Sequence, residues 1–220
     1  MLIGIEGFFG DGKTAYLVRC LKIDADNNRK IISNLKLNKI PSKIFDVEEF
    51  LNDDNNDNLR NATIGLDEIT TVMDCRLSGS KSNLAFGYLV LQSRKRDVDI
   101  YYTTQDFDLV DYRRLIKYTS IFVIAQRIYK KLELENGKYI LEEIDNWRNY
   151  TVVDERKRKE NVISFNLKIS DYYDYYDTDQ IIKPINLFKN KDFKKDIFLL
   201  KKRVIDLEIL LNENGIKYVK

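Results

Sequence analysis

The sequence predicts an α/β fold with a mostly parallel β-sheet, an antiparallel β extension and a C-terminal helix. Three observations support this prediction. Short apolar segments of strand type alternate with helical segments over the first 127 residues, as expected for a parallel sheet covered by helices. A glycine-rich loop joins the first strand to the first helix. After Arg127 the pattern changes to short alternating strands joined by turns, which is typical of antiparallel hairpins.

The 220 residues divide into three predicted segments. Residues 1–127 form the α/β core, residues 128–184 a β-hairpin extension packed on that core, and residues 185–220 an amphipathic helical segment. The helix itself is expected from Phe193 to Asn214, because apolar residues recur there at helical spacing. A hydrophobic fraction of 44% with 33% charged residues indicates a soluble globular protein.

The composition excludes several kinds of site. The chain has no histidine, and its two cysteines, Cys20 and Cys75, lie far apart, so zinc sites and histidine-based catalysis are not expected. Such cysteine usage favours a reducing, cytoplasmic setting. The longest apolar run, Leu84–Leu91, is far below the ~18 residues that a membrane span requires. A formal net charge of +2 gives no strong overall field for nucleic acid, so any such contact depends on local patches.

A phosphate-binding loop is predicted between the first strand, Leu2–Ile5, and the first helix, Ala15–Leu21. Residues 7–14 read Gly-Phe-Phe-Gly-Asp-Gly-Lys-Thr and fit the pattern G-x-x-x-x-G-K-[ST] at every fixed position. In this context the glycines let backbone N–H groups point inward at phosphate oxygens, and the helix adds the positive end of its dipole. The loop therefore predicts a nucleotide site. The alternative is a glycine-rich turn that matches the pattern by chance.

Nine residues of this loop are assigned to nucleotide binding. Lys13 is expected to reach the β- and γ-phosphates, and the Thr14 hydroxyl to be a ligand of Mg²⁺. The expected ligands are therefore ATP and Mg²⁺. The nine residues are Gly7, Phe8, Phe9, Gly10, Asp11, Gly12, Lys13, Thr14 and Ala15.

Four less distinctive segments follow the first helix. A second strand is predicted at Arg29–Leu35, and after Pro41 a short helix at Ile44–Leu51. Residues 52–61 are polar and predict a surface loop. Thr70–Phe86 predicts a flexible basic loop, which is either a plain exposed connection or a contact to a nucleic-acid backbone.

An apolar strand from Ala62 ends in two acids, Asp67 and Glu68. On its own, such a pair is usually a solvated turn. A phosphate-loop site, however, needs an acid at the end of a neighbouring strand to hold Mg²⁺. We therefore predict Asp67 for the metal, and Glu68 as the general base that orients and polarises the attacking water.

The rest of the core alternates again between helix and strand. We predict a helix at Leu84–Arg96, a strand at Asp97–Gln105, a short helix at Val110–Lys117 and a buried strand at Thr119–Ala125. Because parallel strands share their carboxyl edge, the site is expected along that edge.

The extension is predicted from turn and alternation signals. Leu132–Leu141 indicates a hairpin with an Asn-Gly turn. Tyr150–Val153 and Val162–Ile169 indicate a second antiparallel pair, joined by the charged run Asp154–Asn161, which is either a phosphate contact or, as we favour, a solvated turn. Ser170–Ile182 is aromatic and acidic.

The stretch Ser93–Gln105, Ser-Arg-Lys-Arg-Asp-Val-Asp-Ile-Tyr-Tyr-Thr-Thr-Gln, resembles a segment of FtsK/HerA-type DNA-pumping ATPases in which an arginine precedes a strand ending in Thr-Gln. With the phosphate loop and the acid pair, the resemblance covers residues 1–127. Within that group the chain is more similar to the compact viral genome-packaging and zonula-occludens-toxin-like ATPases. The later stretch Tyr176-Asp177-Thr178 also resembles these ATPases. It departs from filamentous-phage assembly members, which carry a membrane helix, and from translocases with large extra domains.

The resemblance implies a RecA-like P-loop NTPase fold whose catalytic groups come from two subunits. Carried over by position, Arg94 would insert into the site of a neighbouring subunit, and Gln105 would contact the γ-phosphate or its attacking water. Arg96, Arg113 and Arg114 stay open as alternatives for the trans arginine. The competing explanation is that Arg94 only complements a helix dipole and that Gln105 only ends a strand.

The function that the resemblance implies is an ATP-hydrolysing motor that translocates double-stranded DNA, in particular a viral genome-packaging ATPase. Its implied partners are double-stranded DNA, further copies of the chain in a ring, expected as a hexamer, and capsid or inner-membrane vertex proteins. It would act in the host cytoplasm or with the virion. Two alternatives stay open. A nucleotide or small-molecule kinase would transfer the phosphate to an acceptor, and a morphogenesis ATPase would hydrolyse ATP without moving DNA.

Overall fold

The computed structural model describes residues 1–46, 59–134, 138–156, 162–180 and 182. Most of the predicted short helix at Ile44–Leu51 lies outside these residues, as does all of the predicted C-terminal helix at Phe193–Asn214. The Asn-Gly turn at 136–137 also lies outside them.

The described strands form one mixed sheet in the order β3-β2-β4-β5-β1-β6-β7-β8. Neighbouring strands run parallel from β3 to β6, whereas β6–β7 and β7–β8 are antiparallel. This confirms the predicted α/β fold with its mostly parallel sheet and antiparallel extension. The strands are Leu2–Glu6 (β1), Lys30–Ser33 (β2), Ser42–Ile44 (β3), Ala62–Leu66 (β4), Val98–Thr104 (β5), Ile121–Glu133 (β6), Tyr139–Asp154 (β7) and Val162–Lys168 (β8).

The central strands are buried on both faces. All five residues of β4 are buried, and β1 is buried from Leu2 to Ile5, which explains their continuous apolar sequences. Helix α1, Lys13–Asp26, packs on the sheet through fully buried Leu17 and Leu21. Helix α2, Lys81–Ser93, connects β4 to β5.

Parallel pairing aligns the carboxyl ends of three central strands. In β1 and β5, Glu6 lies opposite Thr104, and in β4 and β5, Leu66 lies opposite Tyr102. The segments that follow these strands therefore leave the sheet at the same edge, which is where ligands bind in open α/β sheets.

The extension is one long hairpin with an added strand. β6 runs without interruption through residue 127, and β7 contains both the second strand of the predicted hairpin and the predicted strand Tyr150–Val153. Aromatic rings join the extension to α1, because Tyr16 lies 4.7 Å from Tyr150 and 6.3 Å from Phe165 between ring centroids.

The predicted helix at Val110–Lys117 is wrong. The structure has only short 3₁₀ turns in this region, at Phe107–Leu109 and Ile116–Tyr118. The buried carboxylate of Asp111 accepts hydrogen bonds from the backbone N–H groups of Arg113 and Arg114, at 3.1 and 3.2 Å. This is the bonding pattern of a helix N-cap, but Val110 forms a β-bridge with Asp74 and the Asp111 N–H donates to the Met73 carbonyl oxygen. These contacts to another part of the chain replace a regular helix.

The predicted basic loop at Thr70–Phe86 contains more regular structure than expected. It holds two 3₁₀ turns, and α2 begins within it at Lys81. The Ser80 hydroxyl caps this helix by accepting a hydrogen bond from the backbone N–H of Asn83 at 3.2 Å.

Both cysteines are free thiols in the structure. Burial raises the pKa of the Cys20 thiol to about 12, so this thiol stays protonated and unreactive at neutral pH. Across the described ranges, no helix combines the length and the apolar character needed to cross a bilayer.

Candidate active site

The loop between β1 and α1 requires glycine at two positions. Gly10 and Gly12 have φ values of 78° and 86°, in the left-handed region that other residues rarely adopt. Lys13 follows and is only 6% exposed. Its Nζ donates a hydrogen bond to the carbonyl oxygen of Phe8 at 3.1 Å. The lysine thus folds back across the loop, where a phosphate oxygen can replace this carbonyl as acceptor.

Asp67, directly after β4, is the centre of a buried network. The Thr14 hydroxyl donates to its carboxylate, with both oxygens at 3.1 Å, and the Thr103 hydroxyl donates to it at 2.7 Å. Asn34 fixes the Asp67 backbone from the other side through two hydrogen bonds, at 2.7 and 2.8 Å. The structure therefore brings together Thr14 and Asp67, the two predicted metal ligands.

The chemistry of this pair fits Mg²⁺. Burial raises the pKa of Asp67, against the hydrogen bonds from Thr103 and Thr14 and the charge of Lys13, which lower it. A buried carboxylate of this kind is stabilised by a cation. Mg²⁺ typically takes one or two protein oxygens together with substrate phosphates, so a hydroxyl and one carboxylate beside a phosphate loop are a suitable ligand set.

Glu68 has a strained backbone that the network holds in place. Its φ of 50° and ψ of 63° are left-handed, a conformation that costs roughly 1–3 kcal/mol for a residue other than glycine. Its backbone N–H donates to the Thr103 hydroxyl at 2.9 Å. The strain turns the chain immediately after Asp67, and such outliers cluster at functional sites.

The Glu68 side chain meets the predicted sensor amide. Burial raises its pKa, and the charge of Asp67 raises it further, whereas the charge of Lys13 and a hydrogen bond with Gln105 lower it. A raised carboxyl pKa suits a general base, because it brings proton affinity closer to working pH. The structure thus brings Glu68 and Gln105 together beside Lys13.

Arg94 lies elsewhere. It is exposed in the 3₁₀ turn Arg94–Arg96, directly before β5, whereas Gln105 follows the other end of that strand. β5 has seven residues, which corresponds to roughly 20 Å along the strand. Arg94 is therefore at the opposite edge of the sheet from the phosphate loop of its own chain.

The alternative arginines differ in their surroundings. Arg114 donates to the Asp111 carboxylate at 2.7 Å and to the carbonyl oxygen of Ser78, so it is engaged within its own chain. Arg113 is exposed, and Arg96 is half-buried in the same turn as Arg94.

Two polar contributors to the network were missed in the sequence. Asn34 follows β2, and Thr103 lies near the end of β5. Both strands flank β4 in the sheet. A polar residue at the carboxyl end of a flanking strand was the signal that could have found them.

A third group of missed residues contacts the phosphate loop from the extension. Arg127, Arg148 and Tyr150 donate hydrogen bonds to the carbonyl oxygens of Phe9, Gly10 and Gly12, at 2.7, 2.9 and 2.9 Å. No local pattern in β6 or β7 indicates these contacts.

An open groove of about 490 Å³ lies beside the loop. It is lined by Phe8, Asp11, Gln126, Arg127 and Tyr129. Its size falls in the range of small-ligand sites, so there is room next to the phosphate loop for the rest of a nucleotide.

Solved structures resemble the chain over most of its length. The N-terminal domain of zonular occludens toxin from Neisseria meningitidis superposes with a TM-score of 0.54 and 19% identity, over 80% of this chain and 98% of that one. Another solved ATPase domain superposes with a TM-score of 0.51 and 11% identity, over 80% of this chain and 84% of that one. The chain has a RecA-like P-loop ATPase fold. The genome packaging NTPase B204 from Sulfolobus turreted icosahedral virus 2 superposes with a TM-score of 0.47 and 10% identity, over 73% of this chain and 95% of that one.

Sequence comparisons add nothing to this P-loop ATPase fold. No protein-family model matches the chain, and no curated protein matches it.

Proposed function

We propose that the chain binds ATP and Mg²⁺ at its phosphate loop, hydrolyses ATP and uses the energy to translocate double-stranded DNA as a homo-oligomeric ring. The observation that carries the ATP-hydrolysing part of this proposal is the meeting of Asp67, Glu68 and Gln105 beside Lys13 and Thr14 at one sheet edge. The translocating part is supported by the resemblance of Ser93–Gln105. A loop that matched the motif by chance would not gather these groups.

Binding of ATP uses the loop and its neighbours. The inward N–H groups and Lys13 hold the phosphates, and the groove beside Phe8 and Tyr129 takes the nucleoside. Thr14 and Asp67 would hold Mg²⁺. When bound, this ion neutralises charge on the β- and γ-phosphates.

Hydrolysis requires a base and an orienting group. The Glu68 carboxylate takes a proton from a water molecule as the water oxygen bonds to the γ-phosphorus. The bond from that phosphorus to the β–γ bridging oxygen breaks, giving ADP and inorganic phosphate. Gln105, whose side chain lies beside Glu68, orients the base and water. General-base catalysis of this kind contributes roughly 10²–10⁴ in rate.

Arg94 from a neighbouring subunit completes the site. Because Arg94 lies at the amino edge of its own sheet, the ring must place the amino edge of one subunit near the carboxyl edge of the next. Such a head-to-tail contact is heterologous and closes into a ring when the rotation allows it. The arginine stabilises charge that develops in the transition state. Arg96, Arg113 and Arg114 remain the alternatives.

The outer face of α2 supports this assembly. Leu84, Tyr88 and Leu91 are 51%, 57% and 58% exposed, and their spacing of four and three residues puts them on one side of the helix. The same helix leads directly into Arg94. We propose that a second copy of the chain covers this stripe, which would deliver Arg94 to the neighbouring site.

The finer assignment is an FtsK/HerA-type, viral genome-packaging motor. The resemblance of Ser93–Gln105 supports it, and the P-loop ATPase fold is compatible with it. The proposed partners are double-stranded DNA, five further copies in a hexamer, and capsid or inner-membrane vertex proteins. The proposed location is the host cytoplasm or the virion.

Steady-state ATP hydrolysis with and without double-stranded DNA tests the proposal. We expect Mg²⁺-dependent release of phosphate that duplex DNA stimulates, together with a ring-sized particle in light scattering with ATP. A rate that does not respond to duplex DNA would contradict translocation and favour the morphogenesis ATPase. Phosphate transfer to a small-molecule acceptor by a monomer or dimer would identify the kinase instead.

A further inference from the structure

The carbonyl groups of the phosphate loop accept hydrogen bonds on its outer side. When successive N–H groups of a loop point inward at an anion, the carbonyl groups of the same peptides point away from it. Donors placed on that side can hold the carbonyl oxygens and so fix the direction of the N–H groups.

Strand β6 is positioned to supply such a partner. Glu6, the last residue of β1, pairs with Ile124 of β6, so the next residues of β6 run beside the loop that follows β1. Arg127 Nη2 donates to the Phe9 carbonyl oxygen at 2.7 Å, and its Nε donates to the Asp11 carboxylate at 3.2 Å.

Strand β7 supplies two more donors. Arg148 Nε donates to the Gly10 carbonyl oxygen at 2.9 Å, and the Tyr150 hydroxyl donates to the Gly12 carbonyl oxygen at 2.9 Å. The two residues are two positions apart in one strand, so they share a face of the sheet. A side chain at Gly12 would collide with Tyr150, whose hydroxyl lies 2.7 Å from where a Cβ would be.

One carboxylate joins the two arginines. Glu143 accepts from Arg127 Nη1 at 3.1 Å and pairs with Arg148 Nη2 at 3.0 Å. With Asp11 also bound to Arg127, two cations face two carboxylates. The group therefore adds little net charge behind the loop, which points to positioning of the loop more than to attraction of phosphate.

The register of the hairpin sets this geometry. Arg127 lies opposite Arg148, then the register shifts, and Tyr129 lies opposite Glu143. Such irregularities re-aim side chains next to active sites. Arg148 is only 7% exposed, and a buried ion pair is weak evidence for a stabilising role because desolvation offsets its attraction.

We propose that Glu143, Arg127, Arg148 and Tyr150 form a clamp that positions the phosphate loop, so that the β6–β7 hairpin sets the nucleotide affinity of the site. Glu143, Arg148 and Tyr150 are positioning residues, because they act on phosphate through the loop, whereas Arg127 also lines the groove proposed for the nucleoside. The clamp rests on the nucleotide-binding part of the proposed function and is independent of DNA translocation.

Two adjacent glutamates provide the test and its control. Glu143→Gln weakens the clamp, whereas Glu142→Gln removes only an exposed pair with Lys130, at 2.6 Å. The loop holds the phosphates in both ground and transition states, so its displacement should weaken binding uniformly. By calorimetric titration with ATP, we expect the Kd of Glu143→Gln to rise about tenfold. Its kcat should stay within about threefold of wild type, and Glu142→Gln should match wild type in both.

A second variant keeps the clamp testable if Glu143→Gln does not fold. Tyr150→Phe removes only the hydroxyl, while its ring can keep the contacts with Tyr16 and Phe165. We expect a rise of a few-fold in the Kd for ATP at unchanged kcat. Tyr112→Phe, at a residue that is 66% exposed, is the matched control and should bind as wild type does.

The outcomes separate the clamp from the proposed function. Wild-type ATP affinity in both clamp variants overturns the clamp even if their melting temperature falls, since the residues would then be structural. A lower kcat at unchanged Kd also overturns it. Absence of ATP binding or hydrolysis in the wild-type protein, measured in the same experiments, overturns the proposed function instead.

Discussion

The phosphate loop is contacted by two regions that differ in kind. The carboxyl edge of the parallel core places Asp67, Glu68 and Gln105 on the side of Lys13, where the phosphates would lie. The antiparallel extension holds the carbonyl oxygens of the same loop through Arg127 and Arg148. In the proposed function the first region carries groups for the reaction, and in the proposed clamp the second carries groups for the shape of the loop. The outer side of the loop is therefore contacted by residues that the phosphate-loop motif does not encode.

The two regions also differ in how their carboxylates are compensated. Asp67 and Glu68 have raised pKa values because burial dominates over the hydrogen bonds and the Lys13 charge near them. Asp11 and Glu143 instead form ion pairs with arginine. The buried carboxylates at the core edge are therefore stabilised by a bound cation or a proton, whereas Asp11 and Glu143 already have arginine partners.

The largest effect is expected from Arg94, which belongs to neither of these two regions and is proposed to act in the site of the neighbouring subunit. Arg94→Ala should lower kcat by ~10³ or more, with ATP affinity unchanged, because the arginine acts on transition-state charge in the neighbouring subunit. Lys95→Ala, the adjacent exposed cation, is the control. Phosphate release and ATP titration on both variants check this. Full activity of Arg94→Ala would move the role to Arg96, Arg113 or Arg114.

Removal of the base separates chemistry from positioning. Glu68→Gln should lower kcat roughly 10²–10⁴-fold with little change in the Kd for ATP, since the amide cannot take the proton from water. Asp108→Asn, at an exposed acid near the same edge, should leave kcat unchanged. Hydrolysis by Glu68→Gln at the wild-type rate would remove this residue from the mechanism.

Assembly can be disrupted without touching either region. Tyr88→Glu puts a charge into the exposed stripe of α2, and we expect a weakened ring in light scattering with at least a ~10-fold fall in turnover, as Arg94 is delivered to fewer sites. Ile23→Glu, on the exposed side of α1 at 42% exposure, is the control and should assemble. A Tyr88→Glu ring of wild-type size would show that α2 is not the interface.

The smallest effect is a shift in pH dependence. Gln105 lowers the pKa of Glu68 through its hydrogen bond, so Gln105→Ala should raise that pKa. Glu68 must be ionised to accept a proton, and the acidic limb of the profile of kcat/KM against pH should therefore move to higher pH. Initial rates from pH 4 to pH 8 measure the limb. A limb that stays in place would mean that Gln105 does not act on the base.

The core edge was accessible to sequence reasoning because parallel pairing is a strong constraint. The apolar strand before Asp67 and the strand before Gln105 had to end at the edge that carries the phosphate loop, and the structure brings these residues together there. Asn34 and Thr103 obey the same rule, but polar residues after or near the end of a strand are common, so they did not stand out.

The contacts between the extension and the phosphate loop could not be predicted from the sequence, for a physical reason. Whether Arg127 and Arg148 reach the loop depends on the register of a long antiparallel pair, and a slip of one residue would turn both to the other face. The predicted helix at Val110–Lys117 failed for a related reason, because Asp111 is held by contacts to Asn83 and to the Met73 carbonyl oxygen, which are tertiary contacts that helical spacing does not reveal.

The most direct test measures kcat and the Kd for ATP on Glu68→Gln and Glu143→Gln under one set of conditions. We predict opposite profiles, with kcat lost and affinity kept for Glu68→Gln, and affinity lost and kcat nearly kept for Glu143→Gln. If both variants lose the same quantity, the phosphate loop is not divided between a reacting side and a positioning side.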